Sequence, residues 1–426
     1  MEKLHYEHKK IVEVFTVVLL MAGLLTGSQV VAKEKTTISF YSWMIAEAAG
    51  AVESLEWAEK RFETLNPQVD IEMVPLSWED TPVQLMLMMT AGNAPDVTLI
   101  DGSHLGQYVA QGGIQALDDF ISPELKNGML EAAYEHGVMK GGLYALNWNP
   151  NPLEFTYNKE LLKKAGFESP PTTMDDLNEQ VAKISQLASD IYGLLVVSYI
   201  GTEPADWFHI WLWNFGGDMI DETGKIVVNE KGAVDAVTWF KGITDKNYGP
   251  KGYGTREGRV LFSKDKIGLM VEGSWIRGIL QELGMKDEQW ALSTIPSSPF
   301  TGKIGVTPHC DHMLVMSKQS KHKDVAYKWM EFIVSDPEFT KMYYQGTGLL
   351  PVMASAYEDD IYNTPFVRTC LEQMEVMKVP GIFAFPEKAA LERFFMIGLQ
   401  QVIMEGRDPQ EALDEVAKNM KILLGR

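Results

Sequence analysis

The chain has 426 residues, and its 38 Lys and Arg against 58 Asp and Glu give a formal net charge of −20. This length predicts two or three domains at about 150 residues each, and 46% hydrophobic with 23% charged residues excludes disorder as the main state. The acidic balance excludes a nucleic-acid-binding protein, which needs a basic surface, and the two cysteines are too few for a disulfide scaffold or a Cys-ligated zinc site.

The first 32 residues have the organisation of a secretory signal peptide. Lysines near the N-terminus precede an apolar run over 11–25, and Val30 and Ala32 supply small residues at a cleavage site before Lys33. The run is too short to span a bilayer comfortably. The alternatives are an uncleaved anchor helix and a buried core helix, and we expect export.

Ser28 affects whether a lipid could anchor the exported protein to a membrane. Residues 25–28 are similar to a bacterial lipoprotein signal in which Ser28 stands where the lipid-modified Cys belongs. Serine cannot carry that modification, so we expect cleavage by ordinary signal peptidase. The protein would then be free in the periplasm or elsewhere outside the cytoplasmic membrane.

Residues 36–100 alternate strand and helix patterns. Runs of β-branched and aromatic residues indicate strands, and apolar residues at helical spacing indicate helices. The strands are predicted over 36–41, 71–74 and 96–100, and the helices over 51–65 and 84–89. Such alternation implies an α/β lobe with parallel strands and right-handed crossovers. Ligands of open α/β sheets bind at the carboxyl ends of the strands, which are followed here by Trp43, Trp78 and the loop 101–104.

The pattern changes after residue 145. Residues 147–152 cannot be helical, because each of their two prolines disfavours the α conformation of the residue before it, and we predict an extended crossover between two lobes. Thr173 is a predicted helix N-cap. Further helices are predicted over 159–165, 173–188, 205–215, 232–244, 326–334 and after Pro409, and strands over 267–271 and 312–316.

Short motifs follow one another in a recognisable order along the chain. They are 91–97 (Ala-Gly-Asn-Ala-Pro-Asp-Val), 112–118, 155–166 (beginning Phe-Thr-Tyr-Asn-Lys-Glu-Leu), 215–218, 273–275 (Gly-Ser-Trp) and 347–352. In order and spacing they resemble the extracellular solute-binding proteins of family 1, the sugar-binding subunits of ABC importers. The resemblance covers almost all of 36–426 and implies a type II periplasmic-binding-protein fold, an α/β fold with two lobes and a ligand cleft between them.

The resemblance also implies lobe boundaries and a mechanism. The N-terminal lobe would contain 36–146 plus 309–348, and the C-terminal lobe 149–306 plus 351–426, with crossovers near 146–150, 306–308 and 348–351. Ligand binding would close the lobes, because the closed state contacts the ligand from both walls. We expect a monomer that captures a carbohydrate, of di- or oligosaccharide size, and delivers it to transmembrane permease subunits, with no cofactor, metal ion or catalysis.

Two alternative functions stay open. A periplasmic glycosidase would need two positioned carboxylates, and a chain with 58 acidic residues always offers candidates. A binder of glycerol phosphate esters or another small anion would need an arginine or a helix N-terminus facing the anion. Arg277, Arg368 and Arg393 are the arginines to consider.

Aromatic residues are the first candidates for ligand contacts, because rings cover the flat C–H faces of a sugar. Trp275 follows a predicted buried strand at a Gly-Ser turn and matches the family position that stacks on the sugar. Tyr41, Trp43 and Trp78 lie at or just after the ends of the first two predicted strands, and Trp207 opens a predicted helix. The alternative for each ring is a place in the core.

Polar candidates would hydrogen-bond the hydroxyl groups of a sugar. Asp101, Ser103 and His104 follow the third predicted strand. The resemblance implies ligand contacts at Ser103 and His104, where the family's maltose-binding members have an acid and an arginine. This departure argues against maltose itself.

The remaining candidates lie later in the chain. Glu203 precedes Trp207 by four residues at the start of the same predicted helix. Trp148 and Asn149 lie at the first crossover and would line the floor of the cleft. In the last segment the family often places an aromatic residue or an arginine, for which Phe385 and Arg393 are the candidates.

The segment 309–312, His-Cys-Asp-His, contains residue types that bind metals. Alternation along a strand would place its first and third residues on one face and its second and fourth on the other, so a single site could not use all four. We therefore predict a crossover strand with polar groups facing the cleft, Asp311 among the ligand contacts. Cys310 and Cys370 could pair in an oxidising compartment, but the sequence gives no distance between them.

Overall fold

The computed structural model describes residues 35–47 and 49–426. The predicted signal peptide lies outside the described residues. Within them, no helix combines the length and the apolar composition that crossing a membrane requires.

Strands and helices alternate through most of the described chain. The strands are β1 (Thr36–Ser42), β2 (Val69–Pro75), β3 (Val97–Asp101), β4 (Val138–Met139), β5 (Gly142–Leu143), β6 (Leu146–Asn149), β7 (Glu154–Asn158), β8 (Tyr192–Leu194), β9 (Ile267–Glu272), β10 (Trp290–Ser293), β11 (Thr307–Pro308), β12 (His312–Met316) and β13 (Met377–Lys378). The helices are α1 (Met44–Glu47), α2 (Ala49–Leu65), α3 (Thr81–Ala91), α4 (Leu105–Gln111), α5 (Pro123–Gly128), α6 (Glu131–His136), α7 (Lys159–Lys164), α8 (Met174–Ser185), α9 (Thr202–Asn214), α10 (Lys231–Asp245), α11 (Thr255–Ser263), α12 (Ile276–Glu282), α13 (Lys323–Ser335), α14 (Pro337–Thr347), α15 (Pro365–Met374), α16 (Lys388–Glu405) and α17 (Pro409–Leu423).

The first large sheet has the strand order β2-β1-β3-β12-β6. β1 pairs in parallel with both β2 and β3, which confirms the parallel arrangement predicted for 36–100. β12 is antiparallel to both β3 and β6. A strand from late in the chain therefore completes the N-terminal sheet, as a two-lobed fold with several crossovers requires.

The second large sheet has the order β10-β7-β9-β8. β7 is antiparallel to β9 and β10, whereas β8 is parallel to β9. Each sheet has its own apolar core, one around Phe40 and Trp329 and the other around Phe155 and Phe240. The fold is thus the predicted α/β type, and the lobe boundaries given above stay a prediction.

The predicted strands and helices are present, with ends shifted by a few residues. Thr173 caps α8 as predicted: its hydroxyl accepts from the backbone N–H of Asp176, whose carboxylate accepts from the backbone N–H of Thr173, each at 3.1 Å. The sequence patterns do not predict α16. That helix buries Lys388 and Glu392 among apolar residues, so its apolar spacing is interrupted.

Hydrogen bonds around the buried Asp311 carboxylate join the segments that cross between the sheets. Asp311 Oδ2 accepts from Asn147 Nδ2 at 2.6 Å, and Asp311 Oδ1 accepts from the backbone N–H of Asn151 at 2.9 Å. The Nδ1 atoms of His136 and His309 lie 2.5 and 3.2 Å from Oδ2. We call these five residues the crossover network.

Two further bonds extend the crossover network. Asn149 Nδ2 donates to the carbonyl of Leu350 at 3.0 Å, and Ser274 Oγ bonds to Asn151 Oδ1 at 3.1 Å. Side-chain hydrogen bonds therefore link the predicted crossover at 146–150 both to Asp311 and to the predicted crossover at 348–351.

Replacing Asp311 by alanine should destabilise the protein strongly. Several buried donors lose their acceptor, and removing one partner of a buried charged network costs about 3–5 kcal/mol. Urea denaturation of Asp311→Ala would measure this loss. Asp119→Ala is the control, because Asp119 is exposed and should change the free energy of unfolding by less than about 0.5 kcal/mol. Equal stability of the two variants would contradict the role of Asp311.

Candidate ligand-binding cleft

A cavity of about 460 Å³ lies where the carboxyl ends of the first sheet face the second lobe. Trp43 follows β1, Trp78 follows β2 and Asp101 ends β3, so three neighbouring strand ends supply one wall. Trp207 on α9 and Trp275 after β9 belong to the opposite wall. This is the position that ligands take in open α/β sheets, and the volume is ordinary for a small-molecule site.

A second cavity of about 450 Å³ adjoins the first and shares part of its lining. Trp43, Trp78, Asp101 and Glu203 line both, and His104 lines the second alone. The two cavities are therefore neighbours, and we call them together the cleft.

His312 joins the aromatic rings of the two walls. Its ring is edge-on to Trp43, with centroids 5.3 Å apart, and stacks on Trp275 at 6.4 Å. Trp275 in turn packs against Trp207 at 6.1 Å. Burial lowers the pKa of His312 to about 4, so this ring is neutral at pH 7 and adds an apolar surface to the cleft.

Local backbone and buried charges fix the ring of Trp275. A Cβ atom at Gly273 would lie 2.4 Å from that ring, so only glycine leaves room for it to fold back over the turn. Trp275 Nε1 donates to Glu272 Oε2 at 2.9 Å. Glu272 also accepts two hydrogen bonds from Arg259, at 2.7 and 2.8 Å. Burial acts to lower the pKa of Arg259, but Glu272 outweighs it and raises that pKa.

Glu203 presents a carboxyl group to the cleft. Its Oε2 accepts from Tyr199 Oη at 2.6 Å and from Thr255 Oγ1 at 3.3 Å. Burial raises the pKa of Glu203 above its ordinary value, although the nearby Arg259 opposes this. A carboxyl group in this position can accept hydrogen bonds from the hydroxyl groups of a ligand.

A second buried charge group lies behind the cleft wall. Lys388 Nζ is 3.1 Å from Asp206 Oδ2 and 2.7 Å from Glu392 Oε1. Burial raises the pKa of Glu392 well above its ordinary value, and the neighbouring Asp206 raises it further. Asp206 lines the cleft, but its charge is offset by Lys388 from behind.

The structure brings about half of the predicted site residues into the cleft. They are Trp43, Trp78, Asp101, His104, Glu203, Trp207 and Trp275. His104 is held by a hydrogen bond between Nδ1 and Gln107 Oε1 at 3.2 Å, and burial lowers its pKa.

Three predicted residues near the strand ends lie outside the lining of the cleft. Tyr41 points to the face of β1 opposite that of Phe40, because side chains alternate along a strand. Ser103 is buried in the short helix Gly102–His104, where its backbone N–H donates to Asp101 Oδ1 at 2.8 Å. Trp148 stacks on Tyr343 at 4.7 Å in the core of the first lobe.

Four other predicted residues are also outside the lining. Asn149 and Asp311 are buried near the crossovers, where Asn149 Nδ2 donates to the carbonyl of Leu350 and Asp311 Oδ1 accepts from the backbone N–H of Asn151. Phe385 packs against the second core, with the guanidinium of Arg426 5.7 Å from its ring centre. Arg393 is exposed on α16.

Comparison with known proteins identifies the family. The family model described as bacterial extracellular solute-binding protein matches residues 57–366. The chain belongs to this family. A binding protein of Brucella abortus is 26% identical over 353 residues, which cover 80% of this chain and 83% of the relative.

Two further comparisons carry descriptions of ligands. The maltodextrin-binding protein MdxE of Bacillus subtilis is 26% identical over 326 residues, covering 71% of each chain. The GacH receptor of Streptomyces glaucescens, described in unliganded form and in complex with acarbose, superposes with a TM-score of 0.81 at 20% identity, covering 92% of this chain and 99% of the receptor. This likeness shows that the solute-binding protein has the two-lobed fold of such receptors.

The sequence patterns missed some residues of this solute-binding protein that line the cleft. Tyr199, Arg259 and His312 were not among the expected ligand contacts. Arg259 lies on α11. Gly254 is the N-cap residue of that helix and Glu257 follows it by three residues, which is a sequence signal for a helix start that could have located α11.

The structure also revises the interpretation of the segment 309–312. β12 begins only at His312, so strand alternation does not govern the three residues before it. His309 and Asp311 lie together, and His136 joins them from another part of the chain. Cys310 and Cys370 are both free thiols.

Arg259 and Arg256, three residues apart on α11, form a matched pair for a test of stability. Arg259→Ala leaves the buried Glu272 carboxylate without its partner and should lower the free energy of unfolding by about 3–5 kcal/mol. Arg256 makes an exposed ion pair with Glu79 at 3.5 Å, so Arg256→Ala should cost less than about 1 kcal/mol. Chemical denaturation of both variants checks this, and similar losses would show that the Arg259–Glu272 pair is not important for folding.

Proposed function

We propose that this protein is the substrate-binding component of an ABC importer and captures a carbohydrate of di- or oligosaccharide size. The main observation that supports this proposal is that tryptophan rings and carboxyl groups from both lobes line one cleft. Trp43 and Asp101 face Trp207, Trp275 and Glu203 across it. The sugar-binding descriptions of the relatives support the same class of ligand.

The chemistry of the cleft suits a polyhydroxylated ligand. Rings such as Trp275 offer apolar area for the C–H faces of a sugar, and carboxyl groups such as Asp101 and Glu203 accept charge-assisted hydrogen bonds from its hydroxyls. Two neighbouring cavities of about 460 and 450 Å³ offer room for more than one sugar unit.

The charges of the cleft disfavour the anionic alternative. The acidic residues in its lining are Glu79, Asp101, Glu203, Asp206, Glu257 and Glu282, against Arg256 and Arg259. Arg259 is engaged by Glu272, and Arg256 by Glu79 at the rim. Arg277, Arg368 and Arg393 do not line the cavity, so a phosphate ester would meet more negative than positive charge.

The proposed mechanism of ligand capture follows from contacts with both walls of the cleft. A ligand that contacts both walls favours the closed arrangement over the open one, because only the closed form gains both sets of contacts. We propose a non-enzymatic protein that works as a monomer, needs no cofactor for transport and delivers the ligand to permease subunits.

We further propose that the protein is exported through the signal peptide before Lys33 and has no lipid anchor at Ser28. The intact mass of the secreted product tests both points.

A thermal-shift screen tests the proposed ligand class. The panel contains mono-, di- and oligosaccharides, sugar alcohols and glycerol phosphate esters, with a product assay on each hit. A ligand at about 100 times its dissociation constant stabilises the protein by about 2.7 kcal/mol, which moves the melting temperature by a few degrees. We expect a saccharide hit without turnover. Hits confined to phosphate esters, or turnover of a glycoside, would contradict the proposal.

Trp275→Ala should weaken carbohydrate binding by about 1.5–3 kcal/mol, the scale for burying a large apolar side chain. Isothermal titration calorimetry with the saccharide from the screen measures the change. Trp239→Ala is the matched control, because Trp239 packs on Trp211 at 4.9 Å and does not line the cleft. An unchanged dissociation constant in folded Trp275→Ala would remove this ring from the site.

A further inference from the structure

Three side chains with metal-binding atoms converge beside the cleft wall. They are His136 at the end of α6, and His309 and Asp311 in the segment between β11 and β12. Their candidate ligand atoms all lie within 4.8 Å of one another. The rings of His136 and His309 are 4.0 Å apart between centroids, and both turn Nδ1 toward Asp311 Oδ2.

We propose that His136, His309 and Asp311 form a binding site for a divalent transition metal ion such as zinc. Two imidazoles and one carboxylate are a donor set that zinc, nickel, cobalt and copper accept. The proposal is independent of the proposed function, because none of the three residues is needed there as a ligand contact.

The distances between the candidate ligand atoms are close to those around a bound metal ion. With metal–nitrogen and metal–oxygen bonds of about 2.0–2.1 Å, neighbouring donors of a tetrahedral ion are roughly 3.3 Å apart. The His309 Nδ1–Asp311 Oδ2 distance of 3.2 Å already matches. The His136 Nδ1–Asp311 Oδ2 distance of 2.5 Å must open by roughly 0.8 Å to reach the same spacing.

Both histidines turn Nδ1 toward the same carboxylate oxygen, Asp311 Oδ2. A metal ion that binds there would replace the protons shared between these nitrogens and the carboxylate, so binding should release protons.

The carboxylate is also held in place by groups that are not ligands. Asn147 Nδ2 donates to Asp311 Oδ2 at 2.6 Å, and the backbone N–H of Asn151 donates to Oδ1 at 2.9 Å. Hydrogen bonds of this kind orient the ligands of metal sites. Binding an ion therefore requires the two histidines to adjust while the carboxylate stays fixed.

The proposed site adjoins the cleft through His309. His309 lines the cavity of about 460 Å³, whereas Asp311 lies fully buried behind it. Three protein ligands leave one position of a tetrahedral ion for water or another small ligand. The ion would join α6 to a crossover segment and so stabilise the crossover network.

Zinc titration of the full, untagged chain after removal of bound metal by a chelator tests the site. We expect one zinc ion per chain by calorimetry, with a rise in melting temperature. His136→Asn and His309→Asn should each weaken binding at least tenfold. An asparagine amide can still donate a hydrogen bond to Asp311 but does not replace imidazole as a ligand, so these variants separate metal binding from folding.

His322→Asn is the matched control, because His322 is an exposed histidine outside the site and its loss should leave zinc binding unchanged. Cobalt provides a second readout, since tetrahedral Co²⁺ absorbs visible light and the band should vanish in His136→Asn. The absence of saturable zinc binding up to about 1 mM would overturn the site. So would a zinc affinity in both site variants equal to that of the unmodified protein, or loss of the cobalt band only in Cys310→Ser.

Discussion

The buried carboxylate of Asp311 is the interaction on which the arrangement of the two sheets depends. An ionised group without water is costly unless hydrogen bonds replace the lost solvation, and here donors from Asn147, Asn151 and the histidines His136 and His309 replace it. These donors come from different segments, so satisfying one charge holds the crossovers together.

One aromatic ring of the cleft wall, that of Trp275, is held in place by its neighbours. Trp275 is fixed by the hydrogen bond to Glu272, by the absence of a side chain at Gly273 and by the rings of Trp207 and His312. A ring that is already positioned loses little conformational freedom when a ligand binds, which improves affinity without adding contacts. The buried Arg259–Glu272 pair thus acts on the ligand through the ring it supports.

The charges around the cleft divide into two groups. The cations Arg259 and Lys388 are engaged by buried acids, whereas Asp101 and Glu203 face the open space. This division leaves hydrogen-bonding carboxyl groups for a neutral hydroxylated ligand. His309 belongs both to the cleft wall and to the proposed metal site.

The sequence by itself determined the α/β class, the parallel first strands and the placement of Trp43, Trp78 and Asp101 at strand ends, because these follow from local periodicity and from one rule about sheet edges. Only the tertiary structure separated the polar candidates that face the cleft from those that do not. Trp148 and Asp311 are both near crossovers, yet one is core and the other a hydrogen-bond centre. His136 meets Asp311 across 175 positions of the chain, and no local pattern encodes a contact made by the packing of distant segments.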